Sequence, residues 1–108
     1  MREIEFYLDR RGKNPVEDFL SGLAEAKIAK VIWVIDFLRE HELFGEPYAK
    51  NLDGKLWELK AQEIRILFFI NKRTLVFLHG FKKKTQKTPK LEKEIAINRM
   101  NDYLERSE

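Results

Sequence analysis

Along residues 2–8 apolar and polar side chains alternate, Ile4, Phe6 and Leu8 against Glu3, Glu5 and Tyr7. A period of two predicts a strand with one buried face. Residues 9–13 are charged and contain a glycine, the composition of a turn. At Asn14-Pro15 the pattern changes: Asn suits a helix cap, Pro tolerates the first helical position, and Glu17 can reach back to the cap's amide. The short helix that follows turns Val16, Phe19, Leu20 and Leu23 inward and ends near Gly22. Over 24–43 apolar residues recur at spacings of three and four (Ile28, Val31, Ile32, Ile35, Leu38), the stripe of a longer helix. Gly45 stops it and Pro47 prevents its resumption. Three strands are predicted next, at 55–60, 63–70 and 74–80, with connections short enough for an antiparallel meander. Thr88-Pro89 repeats the cap-then-proline start, and Glu92 and Glu94 suit the positive end of a helix dipole. That last helix, 89–104, turns Ala96, Met100 and Tyr103 inward. The order β-α-α-β-β-β-α predicts one α+β domain over residues 1–108, with helices packed on an antiparallel sheet.

Composition narrows the class. A chain of 108 residues with 44% hydrophobic side chains can build one core without covalent staples. It has no cysteine, which excludes disulfides and thiolate metal sites. The longest apolar runs, such as residues 66–70, are too short to span a bilayer. The opening Met-Arg-Glu-Ile-Glu-Phe has no apolar leader segment, so an unexported, cytoplasmic protein is expected. The net charge of +3 hides an asymmetry. Residues 1–49 hold seven Lys/Arg against ten Asp/Glu, a balance of −3, whereas residues 50–108 hold fourteen against eight, +6. Such a split predicts a basic face for a polyanion, against the plainer alternative of an uneven solvated surface.

The chemistry-bearing candidates sit in the basic half. Residues 82–90 hold five lysines (Lys82, Lys83, Lys84, Lys87, Lys90) and no acid, between the last strand and the last helix. Those lysines, with Thr85, Gln86 and the helix N-terminus, could clamp phosphates; a solubilising loop is the alternative. Arg65 shares a strand face with Leu67 and Phe69, where a cation is costly unless it opens on a cleft or finds a partner. It could grip a phosphoryl group, or pair with Glu58 on the neighbouring strand. His79, at a strand end beside the lysines, could act as a base or touch a nucleotide, or simply fill the strand end with its nitrogens satisfied. His41 is expected at the surface, and Trp33 and Trp57 as core anchors. Two isolated histidines without clustered carboxylates argue against a metal site. There is no Gly-rich phosphate loop and no Ser/His/Asp arrangement.

Read together, Leu52-Asp53-Gly54-Lys55-Leu56-Trp57-Glu58-Leu59, Arg65-Ile66 and Leu78-His79-Gly80-Phe81-Lys82-Lys83-Lys84-Thr85-Gln86-Lys87-Thr88-Pro89 resemble the phage-derived, HigB-like group of type II toxins in the RelE/ParE superfamily. The resemblance runs back through Pro15 and Gly45-Glu46-Pro47-Tyr48 and forward through Glu92, Ala96 and Arg99, covering essentially the whole chain. It implies a microbial RNase-like fold, cleavage of messenger RNA without metal or cofactor, usually on the ribosome, and neutralisation by a helix-turn-helix, HigA-like antitoxin. By matching position it assigns catalysis to Arg65, Lys83 and Lys84. Lys82 falls where the family varies and is expected only as a phosphate contact. Thr85, Gln86, Lys87, Lys90 and His79 complete the expected RNA-binding set. The Glu-rich layout of free bacterial ribonucleases is absent, which leaves the general base open. RNA can be cut when its 2′-hydroxyl attacks the adjacent phosphate, and Lys and Arg can align that attack and neutralise the charge that develops. A lysine crowded by others could also serve in proton transfer. Two other classes compete: a ParE-like toxin that binds a protein target, and a basic nucleic-acid-binding module without activity.

Overall fold

The computed structural model describes residues 1–41 and 45–107. In chain order it has β1 (Glu3–Phe6), α1 (Pro15–Ser21), α2 (Glu25–Glu40), β2 (Ala49–Asp53), β3 (Leu56–Ala61), β4 (Ile64–Asn71), β5 (Thr74–Lys82) and α3 (Lys90–Arg106). The expected α+β class holds, with two corrections. There is one strand more than predicted, giving β-α-α-β-β-β-β-α, and the sheet is mixed rather than antiparallel. Strands β2 to β5 form the antiparallel meander, and β1 joins its far side parallel to β5, in the order β1-β5-β4-β3-β2. The extra strand escaped the hydrophobic pattern because it is an edge: only Ala49 is buried, and its neighbours Lys50, Asn51 and Asp53 are exposed.

Helices cover both faces. On one, α1 and α2 pack Val16, Val31, Val34 and Leu38 against Leu59, Ile66, Phe68 and Phe77. On the other, α3 lays Ala96 over Leu56, Leu67, Phe69, Val76 and Leu78. Central strands buried on both faces need continuous apolar runs, which is what Ile-Leu-Phe-Phe-Ile and Leu-Val-Phe-Leu supply. Two-residue turns, with Gln62 and Lys72 in the left-handed region (φ 58° and 59°), join β3 to β4 and β4 to β5. Asn14 caps α1, its Oδ1 accepting from the Glu17 amide at 3.0 Å, with Pro15 in the first turn. At Gly80 a Cβ would sit 2.4 Å from Phe19 Cδ2, so α1 approaches β5 as closely as it does only because that position lacks a side chain.

Several inward assignments change. Strand β1 ends at Phe6; Leu8 is exposed, and Tyr7 is buried on the α3 side. On α2, Ile32 and Trp33 are exposed while Val34 takes the inward place. Trp33 is therefore no core anchor; its ring stacks on Phe37 (5.7 Å between centroids) and meets Tyr48 edge-on (5.3 Å). Trp57 is partly buried against the α1–α2 core, as expected. The expected tail of α2 reached Leu43, which lies outside the described residues.

Candidate nucleic-acid interface

The residue on which the site is built is Glu58, midway along β3. It has no exposed surface. Its place on the α3 face follows from register: Leu56, Glu58 and Lys60 alternate with the inward residues of the other face and oppose Phe69, Leu67 and Arg65 of β4. The Thr88 hydroxyl donates to its Oε2. Around Oε1 stand Arg65 Nε at 3.7 Å and Lys83 Nζ at 4.0 Å. Both distances are too long for a direct hydrogen bond, and neither Oε1 nor Arg65 Nε has a hydrogen-bond partner.

Arg65 is itself largely enclosed, its side chain 15% exposed. Its Nη1 donates to the carbonyls of Gln62 and Ile64, the latter at 3.0 Å. The guanidinium is thus bolted to the β3–β4 turn and directed at Glu58. The loop after β5 starts in register, the Lys83 amide donating to Glu63 O at 2.8 Å. It closes on a turn in which Thr85 Oγ1 donates to Lys87 O at 2.8 Å. Thr88 does not cap α3, as its sequence position suggested. Pro89 holds the cap position without a side-chain bond, and the Thr88 hydroxyl is committed to Glu58.

Above Glu58 lies a cleft of about 240 Å³ whose basic lining is Lys50 from β2, Lys83 and Lys87 from the loop, and Lys93 from α3. Asn51, Gln86 and Thr88 add polar groups. Lys50 arrives there because it opposes Glu58 across the β2–β3 ladder. Four lysines lining one concavity favour phosphate there.

Of the sequence candidates, Lys83, Gln86 and Lys87 line this cleft and Arg65 stands behind it, through Glu58. The rest are dispersed. Lys84 and Thr85 are exposed on the loop and are not among the lining residues. Lys82 alternates to the α1–α2 face, where its charge joins the Lys27 bond (2.5 Å) in holding the Glu63 carboxyl below the usual range. Lys90 is exposed beside Glu94, at 4.0 Å. His79 lies further along β5, at a bulge: Leu67 opposes His79 while Phe68 opposes Phe77. The extra residue, Leu78, lets both Leu78 and His79 face α3.

Both His79 nitrogens are engaged, Nε2 with Glu92 Oε1 at 2.7 Å and Nδ1 with Arg99 Nη1 at 3.2 Å. An arginine can only donate, so Nδ1 accepts and the ring proton sits on Nε2, directed at Glu92. Burial pushes the His79 pKa below its ordinary value, against the opposing pull of Glu92. This is the satisfied strand-end histidine of the plainer alternative. His41 is at the surface, as expected. Among the described residues no group of three or more His, Asp or Glu is placed to hold a metal ion, and no helix is long and apolar enough to cross a membrane.

Sequence reasoning missed Lys50 and Lys93 as site residues and weighed Glu58 only as a partner for Arg65. The available signal was Glu58 itself, a charge in step with Leu56 on a strand whose neighbours are Leu and Trp. Lys50 and Lys93 had none, since each looks like an ordinary surface lysine until β2 and α3 are brought together.

Fold and site define a small α+β protein with a lysine-lined cleft near one edge of its sheet. Residues 18–101 match the family described as Phage derived protein Gp49-like (DUF891), and the chain belongs to that family. Its members are toxin-like proteins of the RelE/HigB type. No curated protein sequence matches the chain.

Proposed function

We propose that this chain is the toxin of a type II toxin–antitoxin system and cuts messenger RNA at the lysine cleft. The observation that carries the reading is the convergence of Lys50, Lys83, Lys87 and Lys93 over a buried Glu58 that also gathers Arg65 and Thr88. Membership in the Gp49-like family supports it. The RNA 2′-oxygen attacks the adjacent phosphorus while the bond to the 5′-oxygen breaks, leaving a 2′,3′-cyclic phosphate and a 5′-hydroxyl. One proton leaves the attacking oxygen and one reaches the departing oxygen. Lys83, in the cleft and backed by Glu58, meets the charge that grows on the phosphorane. Lys84, next along the loop, is a second candidate for that task. Arg65 acts from behind as a positioning residue, fixing Glu58 and through it the loop. Lys50, Lys87 and Lys93 hold the flanking phosphates in ground and transition states alike.

The proposed setting is the cytoplasm, with messenger RNA as substrate, the ribosome as the site of cleavage and a helix-turn-helix, HigA-like antitoxin as the neutralising partner. Two measurements test this. The purified chain, in chelator, is incubated with RNA and the termini are analysed; 5′-hydroxyl and cyclic-phosphate ends are expected. In parallel, 5′ ends of transcripts are mapped in bacteria expressing the chain or Lys83→Ala, where new ends within coding sequence should appear with the parent alone. Intact transcripts accompanied by DNA damage would shift the assignment to a ParE-like toxin.

A further inference from the structure

Among the described residues the sheet ends at β1, with no strand paired on its far side. In a parallel pair alternate residues direct their backbone groups to the neighbour. The Glu3 amide donates to Arg73 O (3.1 Å) and the Tyr7 amide to Phe77 O (2.9 Å), so the amides of Ile4 and Phe6 point away from β5 to the unpaired edge. Beside it runs a groove of about 430 Å³ walled by Ile4 and Phe6, Leu20 of α1, and Ile28, Ile32 and Ile35 of α2. Ile32 is 51% exposed there. The groove is rimmed by Glu17 and Asp36, both exposed and without an ion-pair partner among the described residues. On the opposite face of β1 stand the exposed Glu3 and Glu5, the latter accepting a bond from the Tyr103 hydroxyl at 2.7 Å. Of the cations flanking β1, Arg2 donates to His41 O (3.2 Å), Arg39 Nε to Arg2 O (3.2 Å), Arg73 to Met1 O (3.3 Å), and Arg106 to Asp102 (2.7 Å) and Leu8 O.

We propose that β1 is the docking strand for a partner polypeptide whose incoming strand alternates apolar and basic residues. Its backbone pairs with Ile4 and Phe6, its apolar side chains fill the groove, and its lysines or arginines meet Glu3 and Glu5 across the ladder. Basic residues flanking the strand meet Glu17 and Asp36. Other occupants fit less well. RNA and anionic lipid surfaces are repelled by four carboxylates. A second copy placed edge to edge would set Glu3 and Glu5 against their counterparts, and its basic segment 82–90 has no large apolar side chain for the groove. The proposal does not depend on the reaction, because the groove lies on the α1–α2 face and Glu58 on the α3 face.

The probe is a nine-residue peptide alternating valine and lysine, titrated into the full chain. Affinity is read by fluorescence anisotropy, and amide hydrogen exchange by NMR. Saturable binding is expected, with exchange slowed at the Ile4 and Phe6 amides and no binding of a valine–glutamate peptide. The Glu17→Lys/Asp36→Lys double variant and Ile32→Lys should each weaken binding by about tenfold; all three positions are exposed, and native spectra should confirm folding. Protection elsewhere than Ile4 and Phe6 would overturn the proposal, as would equal binding of the glutamate peptide or unchanged affinity in the variants. So would a concentration-dependent dimer abolished by Ile32→Lys, which would make the occupant a second copy.

Discussion

A carboxylate with no exposed surface must be surrounded by cations and donors, because the water that would solvate it is gone. Glu58 meets that need from three segments at once: Arg65 on β4, Lys83 where the loop leaves β5, and Thr88 where it enters α3. One side chain therefore ties both ends of the loop to the sheet. Wholly buried, Glu58 does not itself reach solvent, and in the proposed reaction its effect passes through Lys83. In the Glu58→Gln variant the Thr88 bond can persist while the charge is lost. We expect kcat to fall while KM for RNA stays level or drops, since a negative charge has been removed beneath a phosphate site. An unchanged kcat would remove Glu58 from the mechanism. Lys83→Ala should lower the single-turnover rate by roughly two to three orders of magnitude, as losing a transition-state donor does. Lys93→Ala should instead weaken binding and leave the saturated rate nearly intact. Equal rate losses in both would dissolve the distinction between them. The basic loop and Arg65 were legible in the sequence because charge runs and a lone cation in an apolar strand are visible without a fold. The cleft was not, because its other two lysines come from segments 43 residues apart, Lys50 and Lys93, which only the packed β2 and α3 bring together.

Strand β5 and helix α3 are joined by a polar seam as well as by apolar packing. At the bulge, Arg99 donates to Leu78 O (2.9 Å) and to His79 Nδ1, while His79 Nε2–H reaches Glu92. Burial keeps the folded-state pKa of His79 below its unfolded value, so the unfolded chain binds that proton more readily. The stabilisation is complete above the unfolded value, about 6.5, and is lost as pH falls through the lowered folded value. Protonation would also set a second N–H against the Arg99 donor. Urea unfolding between pH 7.5 and 5 should therefore show stability declining with pH, and His79→Gln should flatten that decline. Parallel declines in the two proteins would place the titrating group elsewhere. Closer to α1, Gly80→Ala should lower stability by about 1–3 kcal/mol, the usual cost of overpacking, because the new methyl meets the Phe19 ring. A thermal melt reads this directly, and an unshifted midpoint would mean that α1 gives way without cost. Elements with periodic apolar faces (α1, β3, β4, β5, α3) were legible to within a few residues. Strand β2 was not, since an edge strand is held by backbone pairing and needs few apolar side chains. Nor was the parallel place of β1 beside β5, a long-range choice that no local pattern encodes. Trp33 misled because an aromatic residue among apolar neighbours in a helix suggests burial, yet its half-exposed ring stacks on Phe37 and meets Tyr48 edge-on.

Over the whole molecule, the charge split in the sequence becomes a separation in space. The lysine cleft lies near the β2–β3 edge of the sheet and the acid-rimmed groove at the β1 edge, at opposite ends of the order β1-β5-β4-β3-β2. The two edges are four strand spacings apart, roughly 19 Å at about 4.8 Å each, beyond the screening distance of about 10 Å at 0.1 M salt. The two regions therefore act on their ligands almost independently at ordinary ionic strength. A single-stranded RNA contacting all four cleft lysines displaces about one counterion per neutralised phosphate. The logarithm of the binding constant should then fall with the logarithm of salt at a slope of about −3, since each contact contributes about −0.7 for single strands. Removing Lys50 or Lys93 as alanine should make that slope shallower by about 0.7 in each case and leave sequence preference unchanged, because phosphate contacts position without reading bases. Lys90, exposed and turned to Glu94 on the outer side of α3, should contribute less than either. The Glu17→Lys/Asp36→Lys variant, with two charges reversed at the distant groove, should hold the parent slope within error. Fluorescence titrations of a short RNA at several salt concentrations, using a 2′-deoxy analogue at the scissile position, which lacks the attacking oxygen and is not cut, separate these outcomes. If the groove variant steepens the slope as much as the cleft variants flatten it, RNA binding follows net charge and not the cleft, and the cleft loses its place as the interface.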